Sequence, residues 1–579
     1  MSYILGLNIS HDRSAALVKD GKVVVAIEEE RLDRIKHSEG FLVQGYFERL
    51  TKVLPMKAVA YCLDTAGIGI DDLDLVVGNR PLGDGAVWRI LRELPIRDKS
   101  KVHALPFPSH HLAHAATTYY TSPFKDAAVL IVDQAGSRGP DQMIEKHTAF
   151  VGEGNSLRSA AATSYPADYS DLSLGCFYDF FTTKLNFITR YGTPDFGLFE
   201  CGGYPEAGKT MGLAPYGRPR PEWGDWLTLD GFDIKVSQSG LEQIWKEIFA
   251  AESDGYEAKA RDSWQHQFAK DVAFKVQDEL EKAMLHLART THELTGKRNL
   301  CLAGGITLNS VANQRIRAEG PFDDVFIPAP AGDSGNAIGT ALYGWHEILG
   351  GKERSTLRTA ALGRRYPRER VEQALQPYEN KLEWREASTD EVAGLLAEHY
   401  FVGWYQGASE MGPRALGHRS MLADPRHPHT RDYLNTTIKH REVFRPYAPS
   451  VLAEDVSEWF DFTGESPFML LVPAVREERQ AQVPAITHVD GTARVQTVHE
   501  ELDPEYHALI SAFRARTGVP MLLNTSYNDN GEPIVETPED ALRTFFRTEL
   551  DFLYLEGLLV SKPGRTSLPE GHPRETPLA

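Results

Sequence analysis

The chain has 579 residues, of which 42% are hydrophobic and 25% are charged, which is the composition of a globular protein with several domains. Its 81 acidic and 62 basic side chains give a net charge of −19, which disfavours non-specific binding to nucleic acid or to an anionic membrane. No signal peptide precedes the first strand, no apolar run approaches a membrane span, and no CxxC pair occurs among Cys62, Cys176, Cys201 and Cys301, so we expect a cytoplasmic protein.

The first predicted elements are a buried strand over residues 3–9 and two apolar runs, 14–18 and 22–27, that flank Asp20-Gly21. Apolar runs on both sides of an Asp-Gly centre predict a hairpin. Actin-like phosphotransfer folds begin with a strand, a polar tip and a returning hairpin. The same pattern recurs from 127–133 onwards, so the sequence predicts a duplicated actin-like α/β domain.

Two histidines in a predicted helix are candidate metal ligands. His110 and His114 lie four residues apart in an Ala-rich run that follows Ser109, a good N-cap, so they share one helix face. A bare histidine pair is more often an ordinary core or surface feature. Two aspartates strengthen the metal hypothesis: Asp133 stands where an apolar strand ends, and Asp333 lies among glycines. Two imidazoles and two carboxylates suit a divalent transition metal.

Two polar stretches carry candidate cationic ligands. The densely charged run 28–37 is, by composition alone, typical of a solvated helix face, and the alternative makes Lys36 an anion ligand. The segment 206–217 is a loop rich in Gly and Pro with one lysine, Lys209, and it lacks the spacing of a Walker loop.

A glycine turn is predicted inside residues 300–309. The pattern is a strand, then Gly304-Gly305, then a helix that starts near Asn309. Such a turn presents backbone N–H groups to phosphate, so these residues are candidates for nucleotide binding.

The character of the chain changes after residue 350. A polar and charged stretch there predicts a domain boundary, with a first domain over 1–355, a linker over 356–385 and a second α/β domain over 386–579. The second domain concentrates cationic and amide side chains in Gly-rich loops, and guanidinium groups in such loops suit phosphate. These residues are Arg414, Lys439, Arg441, Arg445, Arg494, Asn524 and Ser526.

Several motifs, spread over nearly the whole chain, then become recognisable. They are Gly-Leu-Asn-Ile-Ser-His-Asp at 6–12, the charged run 28–37, Ser-His-His-Leu-Ala-His-Ala at 109–115, Met-Gly-Leu-Ala-Pro-Tyr-Gly at 211–217, Gly-Gly-Ile-Thr-Leu-Asn at 304–309, Met-Gly-Pro-Arg-Ala-Leu-Gly-His-Arg-Ser at 411–420, Arg-Pro-Tyr-Ala-Pro at 445–449 and Asn-Thr-Ser-Tyr-Asn at 524–528. Together they resemble the O-carbamoyltransferases typified by nodulation, cephalosporin and tobramycin carbamoylation enzymes.

The resemblance implies an actin-like (ASKHA) N-terminal domain and a YrdC-like C-terminal domain with linked activities. The YrdC-like domain would join carbamoyl phosphate to ATP, used with Mg²⁺, giving carbamoyl adenylate and pyrophosphate. The actin-like domain would bind that adenylate at a metal and transfer the carbamoyl group to an acceptor hydroxyl, releasing AMP.

The resemblance also implies roles for single residues. The metal, expected to be iron(II) or another divalent transition metal, would be held by His110, His114, Asp133 and Asp333. The catalytic residues would be His11, as the base that takes the acceptor's proton, and Lys36. For nucleotide binding, the resemblance adds Asp225, in a loose local motif, to the candidates Gly304, Gly305, Asn309 and Lys209. Carbamoyl phosphate and ATP would be bound by Arg414, Lys439, Arg445, Arg494, Asn524 and Ser526.

The resemblance implies that the partner is a small-molecule natural product with a hydroxyl, as in antibiotic biosynthesis. We expect no nucleic-acid partner and no membrane partner. The acceptor pocket lies in variable loops, so the sequence does not name the acceptor, and a homodimer stays open. Two alternatives remain: a fused threonylcarbamoyl-adenylate and tRNA-modifying transferase, and a non-catalytic nucleotide-binding regulator of actin-like fold. A sugar kinase would leave both the histidine pair and the second domain unexplained.

Overall fold

The computed structural model describes residues 1–38, 54–79, 85–189, 204–260, 262–563 and 571–575. The chain divides into two compact units, Met1–Leu357 and Arg358–Ala579. Each unit has its own buried apolar core.

The N-terminal apolar runs form the first sheet. Its strands are β1 Tyr3–Asn8, β2 Ser14–Lys19, β3 Lys22–Glu28, β4 Leu75–Gly78 and β5 Val102–Ala104. Their order is β3-β2-β1-β4-β5; β1, β4 and β5 are parallel, and β2 is antiparallel to both β1 and β3. Asp20 and Gly21 both have positive φ in the turn between β2 and β3, which confirms the predicted hairpin.

Three helices accompany this sheet: α1 Glu29–Asp33, α2 Met56–Ala66 and α3 Gly85–Glu93. The expectation from composition of a solvated helix over 28–37 is wrong at Glu29, which is buried. Its carboxylate accepts the backbone N–H groups of Lys57 and Ala58, at 3.2 and 2.7 Å. These are orphan donors in the first turn of α2, so this charge serves a neighbouring helix and not the solvent.

The second half of the unit repeats the first. Its strands are β6 Asp126–Val132, β7 Met143–Glu153, β8 Ser156–Pro166, β9 Ile188–Thr189, β10 Tyr204–Pro205, β11 Thr228–Asp230, β12 Asp233–Lys235, β13 Asn299–Ala303 and β14 Asp324–Phe326. The sheet β8-β7-β6-β13-β14 has the strand order and the strand directions of β3-β2-β1-β4-β5. The predicted duplicated actin-like α/β domain is therefore confirmed.

The helices of this half are α4 His110–Thr121, α5 Leu174–Lys184, α6 Ala207–Leu213, α7 Gln238–Glu252, α8 Gln267–Thr295, α9 Ser310–Glu319 and α10 Asn336–Tyr343.

Two of these helices, α4 and α10, join the repeated halves. α10 packs on β1 and on α4, and α4 packs on β6 and β13. A Cβ at Gly339 would lie 2.0 Å from the carbonyl oxygen of Ala113 and 2.4 Å from the hydroxyl of Thr117. Only glycine permits this approach, which brings the two helices together.

The second unit is built on one mixed eight-stranded sheet. Its strands are β15 Glu383–Glu386, β16 Val402–Tyr405, β17 Arg419–Ala423, β18 Ala448–Leu452, β19 Gln496–Val498, β20 Met521–Ser526, β21 Phe552–Leu555 and β22 Leu558–Ser561. They are ordered β15-β22-β21-β16-β17-β20-β18-β19. The helices are α11 Arg368–Leu375, α12 Thr389–Ala397, α13 Thr430–Tyr433, α14 Val456–Trp459, α15 Glu477–Gln480, α16 Pro504–Thr517 and α17 Pro538–Arg547.

The region 356–385, expected to be a linker, lies almost wholly inside the second unit. It contains α11, whose Val371 and Leu375 are completely buried in the core of that unit. Because charged residues surround these two apolar positions, composition alone did not indicate an amphipathic helix here.

Cys62, Cys176 and Cys301 are free and buried, and Cys201 lies outside the described residues. Within those residues, no helix has both the length and the apolar character needed to cross a membrane.

Candidate active site

The four predicted metal ligands lie at three element ends that meet in the first unit. α4 begins at His110, so His110 and His114 lie one turn apart on one face. Asp133 directly follows β6, and Asp333 begins the short 3-10 turn that leads into α10. All four residues are buried, and one ligand atom from each lies within 4.8 Å of the others. We call these four residues the His/Asp cluster.

The contacts inside the His/Asp cluster are short. Nε2 of His110 lies 2.9 Å from Oδ2 of Asp133, and Nε2 of His114 lies 3.2 Å from Oδ1 of Asp333. The two Nε2 atoms are 3.2 Å apart. The cluster therefore offers two imidazole nitrogens that face each other between two carboxylates. A divalent transition metal prefers this donor set, so the residues present fit such an ion.

The same contacts shift the pKa values of the His/Asp cluster. Burial disfavours the imidazolium forms of His110 and His114, but the carboxylates of Asp333 and Asp133 outweigh it and raise both pKa values. Burial likewise opposes the charged aspartates, but the two imidazoles lower the pKa of Asp133 and that of Asp333. A cation that binds these side chains therefore displaces protons from the histidines.

The start of α4 is fixed by a serine that the sequence did not single out. Ser109 occupies the cap position, but its side chain makes no capping hydrogen bond. Instead, the hydroxyl of Ser137 accepts the backbone N–H groups of Ser109 and His110, at 2.9 and 3.0 Å. Ser137 stands four residues after Asp133, so one short segment orients both a carboxylate and a histidine of the cluster.

His11, the predicted base, lies beside the His/Asp cluster in the turn after β1. Its Nε2 is 3.3 Å from Oδ2 of Asp333, and its Nδ1 is 3.0 Å from Oδ2 of Asp12. The half-buried position of His11 opposes its charged form, but the carboxylates of Asp333 and Asp12 raise its pKa to about 10. The side chain of His11 is 41% exposed, so, unlike the four buried ligands, it can meet a molecule from solvent.

Lys36, the other predicted catalytic residue, lies half-buried in the turn after α1. In the described part of the chain, no hydrogen bond or ion pair joins Lys36 to the His/Asp cluster. Its neighbour His37 reaches the site instead, with Nδ1 2.9 Å from Oδ1 of Asp12. Asp12 and His37 were not among the predicted site residues, although each directly follows a predicted catalytic residue.

The predicted glycine turn supports Asp133. Gly304 has a φ of 101°, and a Cβ there would lie 2.2 Å from the carbonyl oxygen of Val132. The backbone N–H of Gly305 donates to Oδ1 of Asp133 at 3.0 Å. The structure thus uses this N–H to orient a predicted metal ligand.

The other residues predicted to bind nucleotide have protein partners. The side chain of Asn309 caps α9 by accepting a backbone N–H of its first turn. Lys209 forms an ion pair of 2.5 Å with Glu206. Asp225 is 82% exposed and lies 3.9 Å from the ammonium of Lys282, so it is a surface carboxylate.

The second unit gathers guanidinium groups around Arg494. Arg414 and Arg494 are half-buried, and their Nε atoms are fully buried without an acceptor among the described residues. Burial and the charge of Arg445 lower the pKa of Arg414 to about 10. Burial and the charges of Arg414, Arg441 and Arg445 lower the pKa of Arg494. An anion relieves such mutual repulsion, and a guanidinium binds it with two parallel hydrogen bonds.

Lys439 is oriented differently from the phosphate-binding expectation. Its buried ammonium donates to the carbonyl oxygens of Ser526 and Asn528 and to Oδ1 of Asn528, at 2.8, 2.6 and 2.8 Å. An ammonium has three N–H donors, so these contacts engage all of them. In this structure Lys439 holds the end of β20, where Ser526 lies, and the residues that follow it.

The loop that carries Arg414 is fixed by buried polar side chains. Asn524, a predicted ligand, donates to the carbonyl oxygen of Ala415 at 3.2 Å. Oε1 of Glu410 accepts the backbone N–H of Leu416 at 2.6 Å. The guanidinium of Arg414 is therefore presented by a preorganised loop.

Comparison with known proteins identifies the family. Residues 3–83 and 84–342 match the family model described as carbamoyltransferase N-terminus, and residues 393–562 match the model described as carbamoyltransferase C-terminus. Both compact units are therefore covered by parts of the same family.

Similar proteins align over most of this chain. The nodulation protein NolNO of Sinorhizobium fredii is 36% identical, over 97% of this chain and 80% of the relative. The nodulation protein NolO of Bradyrhizobium diazoefficiens is 36% identical, over 78% of this chain and 79% of the relative. An uncharacterized protein of Synechocystis sp. is 35% identical, over 97% of both chains.

Among solved structures, HypF from T. kodakarensis is 16% identical and covers 61% of this chain and 48% of its own, with a TM-score of 0.37. The family assignment rests on the sequence comparisons, which confirm the resemblance to the nodulation-type carbamoyltransferases. With both parts of the family matched and with relatives aligned over nearly its whole length, the chain belongs to the carbamoyltransferase family and is an enzyme of carbamoyl transfer.

Proposed function

We propose that this carbamoyltransferase consumes ATP and carbamoyl phosphate and modifies a hydroxyl of a small-molecule natural product. The observation that supports the proposal is that each of the two family-matched parts contains one site of fitting chemistry. The first holds the His/Asp cluster with His11 at its edge. The second holds the mutually repelling guanidinium groups of Arg414 and Arg494.

The second unit is proposed to act first, as a YrdC-like activating domain. Carbamoyl phosphate and water give phosphate and carbamate, and a carbamate oxygen attacks the α-phosphorus of ATP, so that carbamoyl adenylate forms and pyrophosphate leaves. All these reactants are anions, so the task of the protein is to position them and to neutralise charge. Arg414, Arg445 and Arg494 are suited to that task because they lie together, and Nε of both Arg414 and Arg494 is buried without an acceptor in the part of the chain that the structure describes.

The first unit is proposed to transfer the carbamoyl group. The His/Asp cluster would hold iron(II) or another divalent transition metal. Such an ion would polarise an oxygen of the adenylate and would oppose the charge of Asp333, which raises the pKa of His11. The proposed role of Nε2 of His11 is to accept the proton of the acceptor hydroxyl, whose oxygen attacks the carbamoyl carbon while the bond to the AMP phosphate breaks.

The proposal is tested with the full chain, iron(II), Mg²⁺, ATP, carbamoyl phosphate and a panel of hydroxyl-bearing small molecules. We expect one acceptor to gain the mass of one carbamoyl group, with one AMP, one pyrophosphate and one phosphate per transfer. Two results contradict the proposal: an unchanged rate without ATP, or AMP formation that requires threonine and bicarbonate.

A further inference from the structure

Asp12 lies between two histidines in the turn after β1. Its Oδ2 is 3.0 Å from Nδ1 of His11, and its Oδ1 is 2.9 Å from Nδ1 of His37. Both carboxylate oxygens are therefore engaged by imidazole. Burial opposes the charged form of Asp12, but the charges and hydrogen bonds of His37 and His11 lower its pKa.

The backbone holds the two turns in this arrangement. The N–H of Asp12 donates to the carbonyl oxygen of His37 at 2.9 Å. The side chain of Asn8 donates to the carbonyl oxygens of His11 and Asp12, at 3.0 and 3.1 Å. Asp12 and His37 adopt φ values of 51° and 63°, a region that few residues other than glycine enter. The folded chain thus stabilises a local geometry that neither residue favours alone.

This arrangement has a consequence for His11. A hydrogen bond at one ring nitrogen fixes both the orientation of an imidazole and the tautomer it presents at the other nitrogen. With Nδ1 held by Asp12, Nε2 of His11 faces the His/Asp cluster, 3.3 Å from Oδ2 of Asp333. An exposed histidine without this partner would sample several rotamers, and only some of them would present Nε2 to the reacting atoms.

We propose that Asp12 and His37 are positioning residues for carbamoyl transfer: Asp12 orients His11, and His37 orients Asp12. The inference rests on the proposed role of His11. A different reading comes from Glu30, which accepts the backbone N–H of His37 at 2.7 Å and, with Asp12 and His37, is close enough to hold an ion. The proposal and this reading predict different results.

The first experiment measures transfer from supplied carbamoyl adenylate by the iron(II)-loaded full chain, so that the activating step is bypassed. We expect Asp12→Asn to lower kcat about 10- to 100-fold, the usual effect of losing a partner of a site residue. KM for the acceptor should stay within twofold of the wild-type value, and iron content should be unchanged. Asp20→Asn is the matched control, because Asp20 also has positive φ in a turn, and its carboxylate accepts the backbone N–H of Ser2 and lies 4.0 Å from the N-terminal amino group. We expect no change in this control.

The second experiment asks whether these residues act through one another. In the double variant of Asp12→Asn and His37→Gln, we expect no greater loss than in Asp12→Asn alone. On the residual rate of His11→Asn, we expect Asp12→Asn to have no further effect. These non-additive results would not arise if each residue only stabilised the fold.

Four results overturn the positioning proposal. Equal losses by Asp12→Asn in the wild-type and His11→Asn backgrounds would show that Asp12 acts independently of His11. A raised KM with unchanged kcat would mean that Asp12 contacts the acceptor. Loss of one bound iron in Asp12→Asn would assign an ion site to Asp12, Glu30 and His37. A wild-type transfer rate in His11→Asn would refute the base and its positioning together. Failure of the proposed function itself gives a different result: the wild-type protein would not transfer the carbamoyl group from supplied carbamoyl adenylate at all.

Discussion

Gly339→Ala tests the helix packing that assembles the His/Asp cluster. The new Cβ would lie 2.0 Å from the carbonyl oxygen of Ala113, so α4 and α10 must move apart by about 1.4 Å to reach an ordinary contact of about 3.4 Å. α4 carries His114 and α10 follows Asp333, whose side chains now lie 3.2 Å apart. Metal–ligand distances tolerate only about 0.2 Å of variation, so such a movement removes at least one ligand from the set.

The expected magnitude follows from this displacement. Overpacking alone destabilises a protein by about 1–3 kcal/mol. A shift of about 1 Å in an active site lowers the catalytic rate by about 100-fold. We therefore expect iron(II) affinity to fall by about 100-fold, which corresponds to about 2.7 kcal/mol. Transfer from supplied carbamoyl adenylate should fall in parallel, while pyrophosphate release in the second unit should be unchanged.

The assay is an anaerobic iron(II) titration against a competing chelator, together with the transfer rate. Gly394→Ala is the matched control, because Gly394 is also helical and a Cβ there would lie 3.8 Å from its nearest neighbour, Nε of Arg516. This control should bind iron as wild type does and gain about 0.5–1 kcal/mol of stability. Wild-type iron affinity in Gly339→Ala would refute the reasoning, because the cluster would then not depend on the close packing of α4 and α10.

Three further predictions concern two cationic side chains and the protonation of the cluster histidines. Arg494→Met should raise KM for carbamoyl phosphate about 10- to 100-fold, since a charge-assisted hydrogen bond contributes about 1.5–3 kcal/mol; kinetics of pyrophosphate release measure this, and an unchanged KM contradicts the anion site. Lys439→Met should lower the free energy of unfolding of the second unit by about 3 kcal/mol, because it leaves buried oxygens without their donor. Denaturant unfolding measures this change. A loss below about 1 kcal/mol would contradict the prediction and would mean that water replaces the ammonium. Iron(II) binding near neutral pH should release protons and strengthen as pH rises, because the pKa values of His110 and His114 are raised and the ion binds only the neutral imidazoles. Calorimetry in buffers of different ionisation enthalpy measures the proton release. Binding without proton release would contradict ligation by these histidines.

The features that were predictable from sequence are those with a local signal. The Asp20-Gly21 hairpin follows from the two flanking apolar runs, and the duplicated sheet follows from the recurrence of that pattern. The meeting of His110, His114 and Asp133 follows from helical spacing and from the position of a carboxylate after a strand. Asp333 was predicted from its place in a Gly-rich turn, and the structure brings it together with the other three residues.

The features that were not predictable depend on contacts between residues distant in sequence. The hydroxyl of Ser137 supports the start of α4 only because β6 ends beside that helix. Glu29 looked solvated because its partners, the first backbone N–H groups of α2, carry no signal in their side chains. Lys439 looked like a phosphate ligand because the carbonyl oxygens that engage it belong to a loop almost ninety residues away. Nothing in the sequence around Asp12 indicates that His37 is its second hydrogen-bond partner.

The most direct test of the account is the stoichiometry of one reaction by the iron(II)-loaded chain, with ATP, Mg²⁺ and carbamoyl phosphate but no acceptor. The account predicts that carbamoyl adenylate is detected by mass spectrometry, with one pyrophosphate and one phosphate for each adenylate formed and with no ADP. Formation of ADP, or release of pyrophosphate at the same rate without carbamoyl phosphate, would contradict it.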